Sequence, residues 1–170
     1  HFFLESQNRI KTIAALHEKL YGSEKYSHVD LKKYVEQLME ILVTSFGINQ
    51  SLIKITTEIE NIDIDIEYSV PIGLVINEII TNSFKYAFPA GSKGEIFVNI
   101  LKNGDELSME IGDNGNGLNE ELDIANLKSL GLQLIFTLIE GQLSGKVKFI
   151  PSANGLVFSI KIPMKTPVLE

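Results

Sequence analysis

Glu78, Asn82 and Lys85 follow one another at helical spacing. On a wheel of about 100° per residue they fall within roughly 60° of one another, with Tyr86 at the edge of that arc. A carboxylate, an amide oxygen and an ammonium on consecutive turns suit a Mg²⁺ ion held through one or two oxygens while the lysine neutralises phosphate. Asn82 is a poor helix former, so local propensity gives no reason for it there. Asn77 points about 100° away from Glu78 and is set aside as a ligand.

A second group lies further along the chain. Asp113-Asn114-Gly115-Asn116-Gly117 follows a strand-like run. Glycines at such a point let the backbone turn sharply and approach a flat or phosphorylated ligand. Asp113 at the strand end is placed to accept a hydrogen bond from an exocyclic amine. Ser129-Leu130-Gly131-Leu132 then opens an apolar helix, whose first amides suit anionic oxygens. Each group alone also fits a solvated helix face or a turn-rich loop. Their order carries the reading: polar helix face, strand, Asp-x-Gly-x-Gly, loop, glycine at a helix start.

The elements that must position these residues are legible in the hydrophobic periods. A heptad-like stripe (Phe3, Ile10, His17; Ile13, Leu20) predicts a helix over 3–20 suited to a partner helix. Asp30 predicts an N-cap for a helix with Leu31, Tyr34, Val35, Leu38, Ile41 and Leu42 inward, ending near Gly47. Alternating isoleucines from Ile53 to Ile66 predict half-buried strands. Pro71 suits the first turn of a helix running to Ala87. Asn103-Gly104 marks a hairpin between strands at 96–101 and 107–111. A loop at 113–130, a helix at 130–140 and strands at 146–150 and 156–162 complete the layout, an α+β sandwich.

Composition narrows the classes. Of 170 residues, 22 are Asp or Glu against 15 Lys or Arg, a net charge of −7. Such a surface repels nucleic-acid backbones, so any phosphorylated ligand must be held by local features. The chain has no Cys, hence no disulfide framework and no thiolate site. No run approaches the roughly 18 unbroken apolar residues of a membrane span, and Glu5, Arg9 and Lys11 interrupt any signal-peptide pattern. The expectation is a soluble, cytoplasmic-type domain. The opening His1-Phe2-Phe3, with no start Met, reads as a fragment.

The ordered motifs resemble those of the GHKL ATPase superfamily (gyrase, the Hsp90 chaperone, histidine kinase, MutL), whose nucleotide site is the Bergerat fold. Glu78-x-x-x-Asn82-x-x-Lys85-Tyr86 resembles the N box of its kinase branch. Asp113-x-Gly115-x-Gly117 is similar to the G1 box, and Ser129-Leu130-Gly131-Leu132-Gln133-Leu134 to the G2 box. Gly155-x-x-Phe158-x-Ile160-x-Ile162-Pro163 is similar to the strand closing the pocket. Asn8-Arg9-Ile10 through Tyr21, then Val29-Asp30-Leu31 and Tyr34, resembles the end of a HisKA_2-type dimerisation and phosphoacceptor region, a neighbour of the HWE kinases. The resemblance implies a Bergerat-type α/β sandwich with a mixed, mainly antiparallel sheet and helices on one face. Residues 1–35 would close the dimerisation region and 36–166 form the ATP-binding catalytic domain.

By that resemblance Asn82 binds the Mg²⁺ bridging the ATP phosphates, Lys85 contacts phosphate and Tyr86 lines the ribose or adenine side. Asp113 recognises the adenine amine with Gly115 and Gly117 shaping the turn. Gly131 lets the backbone close on the phosphates between Leu130 and Leu132. Glu78 orients metal-bound water or accepts the histidine proton. Leu156 departs from the family, which usually has Thr near adenine there. The implied reaction is transfer of the γ-phosphoryl group to a histidine upstream of Asn8, then to the receiver domain of a response regulator; the sequence leaves homodimer and monomer both open. None of His1, His17 and His28 matches the phosphoacceptor. Two other readings stand beside this one: a serine kinase or water-using ATPase of the same superfamily, and a degenerate nucleotide-binding or dimerisation module.

Overall fold

The computed structural model describes residues 28–117, 130–152 and 154–164. The helix expected over 3–20, His1 and His17, and the loop residues 118–129 lie outside them. Strand β1 (His28–Asp30) pairs antiparallel with β3 (Asp63–Asp65) as a separate two-stranded ribbon. Asp30 caps helix α1 (Leu31–Phe46) as expected, accepting a 3.0 Å hydrogen bond from the Lys33 N–H. At the other end Gly47 adopts φ 60°, the left-handed conformation that favours glycine, and its N–H returns to the last turn. The apolar stripe of α1 buries Leu31, Tyr34, Val35, Leu38, Met39, Leu42 and Val43.

The main sheet has five strands: β2 (Ile53–Ile59), β4 (Gly94–Asn103), β5 (Glu106–Asp113), β6 (Lys146–Ser152) and β7 (Gly155–Pro163). Their order is β2-β4-β5-β7-β6, with β2–β4 parallel and the other pairs antiparallel. Period-two alternation turns Ile96, Val98, Ile100, Leu107, Met109, Ile111, Phe158, Ile160 and Ile162 toward the helices, all buried. The expected α+β sandwich with a mixed, mainly antiparallel sheet is therefore present. Its middle helix is α2 (Ile66–Asn82), continued by a π-helical turn at Ser83–Ala87. Helix α3 (Leu130–Phe136) likewise runs on as a π-helical segment, Thr137–Gln142.

Two local expectations shift. Helix α2 starts at Ile66, not at Pro71, which lies buried inside it. The alternating isoleucines end with β3, because extended Asp65 turns the chain into the helix at once. Pro71 sits early enough that the only carbonyl it leaves without an intrahelical donor is that of Glu67, in the first turn. In the β4–β5 hairpin, Asn103 pairs with Glu106, so the two-residue loop is Gly104-Asp105 and not Asn103-Gly104. Only Gly104 there has positive φ (59°), the pattern of a type II′ turn with glycine first.

Candidate active site

The sequence predicts a polar arc on one face of α2, whereas the helix is buried nearly all round. The sheet lies beneath it, α1 packs along one side and α3 along another. Tyr34 of α1 approaches so closely that a Cβ on Gly73 would lie 2.9 Å from its Cζ. Burial raises the Tyr34 phenol well above its ordinary pKa. Glu78 is consequently 0% exposed, while Asn82 and Lys85 on later turns are half-buried. The polar arc of the sequence thus lies at the end of a packed helix and opens toward the start of α3.

Gly131 in the first turn of α3 meets that arc directly. A Cβ there would lie 2.7 Å from Glu78 Oε2 and 3.7 Å from Asn82 Nδ2. Any larger residue would fill the space beside a carboxylate that is too buried to swing away. The absent side chain lets the start of α3 close directly over Glu78 and Asn82 as a glycine cradle, which brings the N-box and G2-box positions together.

The next residue on the helix serves a different group. Ser83 donates its hydroxyl to Asp113 Oδ2 at 2.6 Å, with both residues buried. The other carboxylate oxygen accepts the Gly115 N–H at 3.1 Å. Gly115 packs onto the end of the π-helical turn, where a Cβ would lie 2.7 Å from Ala87 Cβ, and the Asn116 N–H donates to the Ala87 carbonyl at 2.9 Å. Gly155 closes the other side at φ 121°, with its backbone against the Asp113 carbonyl. Gly117 also has positive φ, 65°. Leu156 pairs with Asp113 in the β5–β7 ladder and so faces the same side of the sheet.

Not every expected residue converges. Tyr86 is 73% exposed and Leu130 50% exposed, whereas Leu132 is buried in the core. The π-helical turn at Ser83–Ala87 holds more residues per turn than an α-helix, so Lys85 and Tyr86 rotate away from the directions a uniform wheel gives. Ser83 was missed. Its only sequence signal was a hydroxyl next to Asn82. Among the described residues no cluster of three or more His, Cys, Asp or Glu could enclose a metal. A cation at Glu78 and Asn82 would thus take only one or two protein oxygens and complete its shell from phosphate and water, which suits Mg²⁺.

A mainly antiparallel five-stranded sheet with helices on one face, a buried Asp at a strand end and a helix carrying Glu and Asn beside a glycine cradle define a Bergerat-type nucleotide-binding domain. Residues 67–166 match the model of the histidine kinase-, DNA gyrase B- and HSP90-like ATPases, and the chain belongs to that family. Residues 1–46 match a second model, HisKA_2, described as histidine kinase. Blue-light-activated histidine kinase 2 of Erythrobacter litoralis is 26% identical over 113 residues, which is 66% of this chain and 32% of that protein. The chain spans about a third of the length of the curated relatives it matches. In three dimensions it resembles the Erythrobacter litoralis EL346 blue-light-activated histidine kinase, with TM-score 0.82, 22% identity and coverage of 95% of this chain and 49% of that one. It also resembles the histidine kinase ThkA in complex with the response regulator protein TrrA, with TM-score 0.63, 19% identity and coverage of 99% and 51%.

Proposed function

We propose that this chain is the ATP-binding catalytic domain of a sensor histidine kinase, passing the γ-phosphoryl group of ATP to a histidine on an upstream helix. One observation carries the reading. Adjacent residues at the end of α2 face two sites: Asn82, with Glu78, borders the glycine cradle, and Ser83 holds the buried Asp113. A nucleotide has two such ends, a charged phosphate tail and a flat base with an amine. Asp113 accepts the adenine amine, Asn82 and Glu78 hold Mg²⁺, Lys85 neutralises phosphate, Tyr86 and Leu130 flank the opening, and Leu132 anchors the Gly131 turn to the core behind it. The metal supplies charge neutralisation on the phosphates. Phosphoryl transfer has a loose transition state, so the protein contributes mainly position and electrostatics. Glu78, buried beside the cradle, orients water or takes the histidine proton.

The match of residues 1–46 to a histidine kinase model supports placing the phosphoacceptor helix upstream. A response-regulator receiver domain is the proposed final acceptor, the named complex of ThkA with TrrA being consistent with it. A homodimer and a cytoplasmic location belong to the same proposal. No helix of the described residues is long and apolar enough to cross a membrane.

Titration of the chain with a non-hydrolysable ATP analogue, with and without Mg²⁺, tests the reading. Asn82→Ala is expected to abolish Mg²⁺-dependent binding, and Asp113→Asn to weaken adenine selectivity. Unchanged affinity in both variants would place the nucleotide elsewhere. In the longer protein the phosphate formed should be acid-labile and base-stable.

A further inference from the structure

Asn114 is exposed, and nothing in the proposed chemistry uses it. Its hydrogen bonds are nevertheless unusual. The last residues of the β4–β5 ladder are Ile96 opposite Asp113, so the next pair outward is Glu95 with Asn114. An antiparallel hydrogen-bonded pair exchanges two backbone bonds, each residue's N–H donating to the other's carbonyl. Here the first is made in the ordinary way, from the Asn114 N–H to the Glu95 carbonyl at 3.1 Å. The second is not. The Glu95 N–H donates at 2.7 Å to the side-chain oxygen of Asn114, Oδ1.

The side chain therefore stands in for its own backbone carbonyl. That substitution frees the main chain to leave the sheet at residue 114 while the sheet edge stays satisfied. The chain then reaches the end of the π-helical turn, where Gly115 packs on Ala87 and Asn116 donates to it. Glu95 is itself anchored, its carboxylate accepting Thr56 Oγ1 at 2.5 Å and Lys54 Nζ at 3.0 Å from the neighbouring strand. Asp113 is held between this departure point and Gly155.

We propose that Asn114 is a positioning residue for nucleotide recognition: its side-chain oxygen completes the β4 ladder so that the Asp113–Gly115 turn can swing onto helix α2 and present the Asp113 carboxylate to a base. The inference rests on the nucleotide reading above. Without the side-chain acceptor, either the Asn114 backbone carbonyl takes the Glu95 N–H and draws the turn back toward β4, or that N–H turns to water and the turn loosens. Both move Asp113 and leave the exposed surface otherwise intact.

The test uses the full chain with non-hydrolysable analogues of ATP and GTP in the presence of Mg²⁺. Asn114→Ala is expected to weaken ATP-analogue binding about tenfold and to narrow the preference over the GTP analogue, since the loss falls on the amine contact. Asn114→Asp keeps an oxygen at the same place and is expected to stay within about threefold of wild type. Thermal unfolding of both should match wild type within a few degrees, because the position is exposed. The inference is overturned if Asn114→Ala binds and discriminates as wild type does. It is overturned equally if Asn114→Asp loses as much as Asn114→Ala. A wild-type chain with no affinity for the ATP analogue would instead bring down the nucleotide reading itself, and this inference with it.

Discussion

A buried carboxylate that binds an amine must have its remaining oxygen capacity fixed in direction. In Asp113 one oxygen is committed to Ser83 and the other to the Gly115 N–H, which leaves lone pairs on a defined side for a base. Ser83→Ala removes the 2.6 Å donor without opening a large cavity. It is expected to weaken ATP-analogue binding about tenfold while lowering stability by only about 1 kcal/mol, measured by calorimetry and thermal unfolding. Gly131→Ala makes a sharper case. Its new Cβ would meet Glu78 Oε2 at 2.7 Å, so nucleotide binding should fall by at least about tenfold with little loss of secondary structure by circular dichroism. The chemistry-bearing residue types were legible in the sequence, because Glu78, Asn82 and Asp113 stand at helical spacing or beside glycines. Ser83 was not, since its partner lies 30 positions away and only the packing of α2 against β5 makes them neighbours. The rotation of Lys85 and Tyr86 was illegible for a different reason: a wheel assumes α-helical geometry that the π-helical turn abandons.

Elements were most legible where their ends are decided by local bonds. The Asp30 cap and the Gly47 stop follow from short-range geometry, and α1 has both. The start of α2 and the hairpin loop were each misplaced by local ambiguity. Pro71 is as acceptable to an extended approach as to an early helical position, and either central pair, Asn103-Gly104 or Gly104-Asp105, supplies the needed glycine. The Asp30 carboxyl is held below its usual range, first by the backbone N–H of Lys33. A carboxylate with a lowered folded-state pKa stabilises above its unfolded pKa, and that contribution disappears as pH falls through the folded value. Asp30→Ala should therefore cost about 1 kcal/mol near pH 7. The gap from wild type should close as pH drops below about 4, read from urea unfolding at a series of pH values. A constant gap across that range would assign the loss to helix propensity alone.

At the scale of the whole molecule, the feature hidden from the sequence is how far α1 belongs to the sandwich. Nothing in the periodicity of residues 31–46 says that Tyr34 will rest on Gly73 or that Phe46 and Phe84 rings will meet at 5.5 Å. That packing closes the side of α2 that carries Gly73, while Glu78, on another side, meets Gly131 of α3. The two family matches leave a gap between residues 46 and 67, and the division expected from resemblance falls between 35 and 36, inside α1. Burial and pairing put β1 and α1 in one unit with the sheet, since the residues of β1 pair with β3 immediately ahead of α2. A fragment beginning at residue 47 would expose the apolar face that α1 covers, including the surface around Gly73 on which Tyr34 rests. Burying side chains of that size is worth about 1.5–3 kcal/mol each, and seven residues of α1 are buried. The sum, about 10–20 kcal/mol before the entropy of ordering the chain, is as large as the whole stability of an ordinary domain, about 5–15 kcal/mol. That fragment is expected to aggregate or lack cooperative unfolding, whereas one spanning 28–170 should unfold in a single transition and bind the ATP analogue as the 170-residue chain does. A stable, nucleotide-binding fragment 47–170 would show that α1 is only an attached arm.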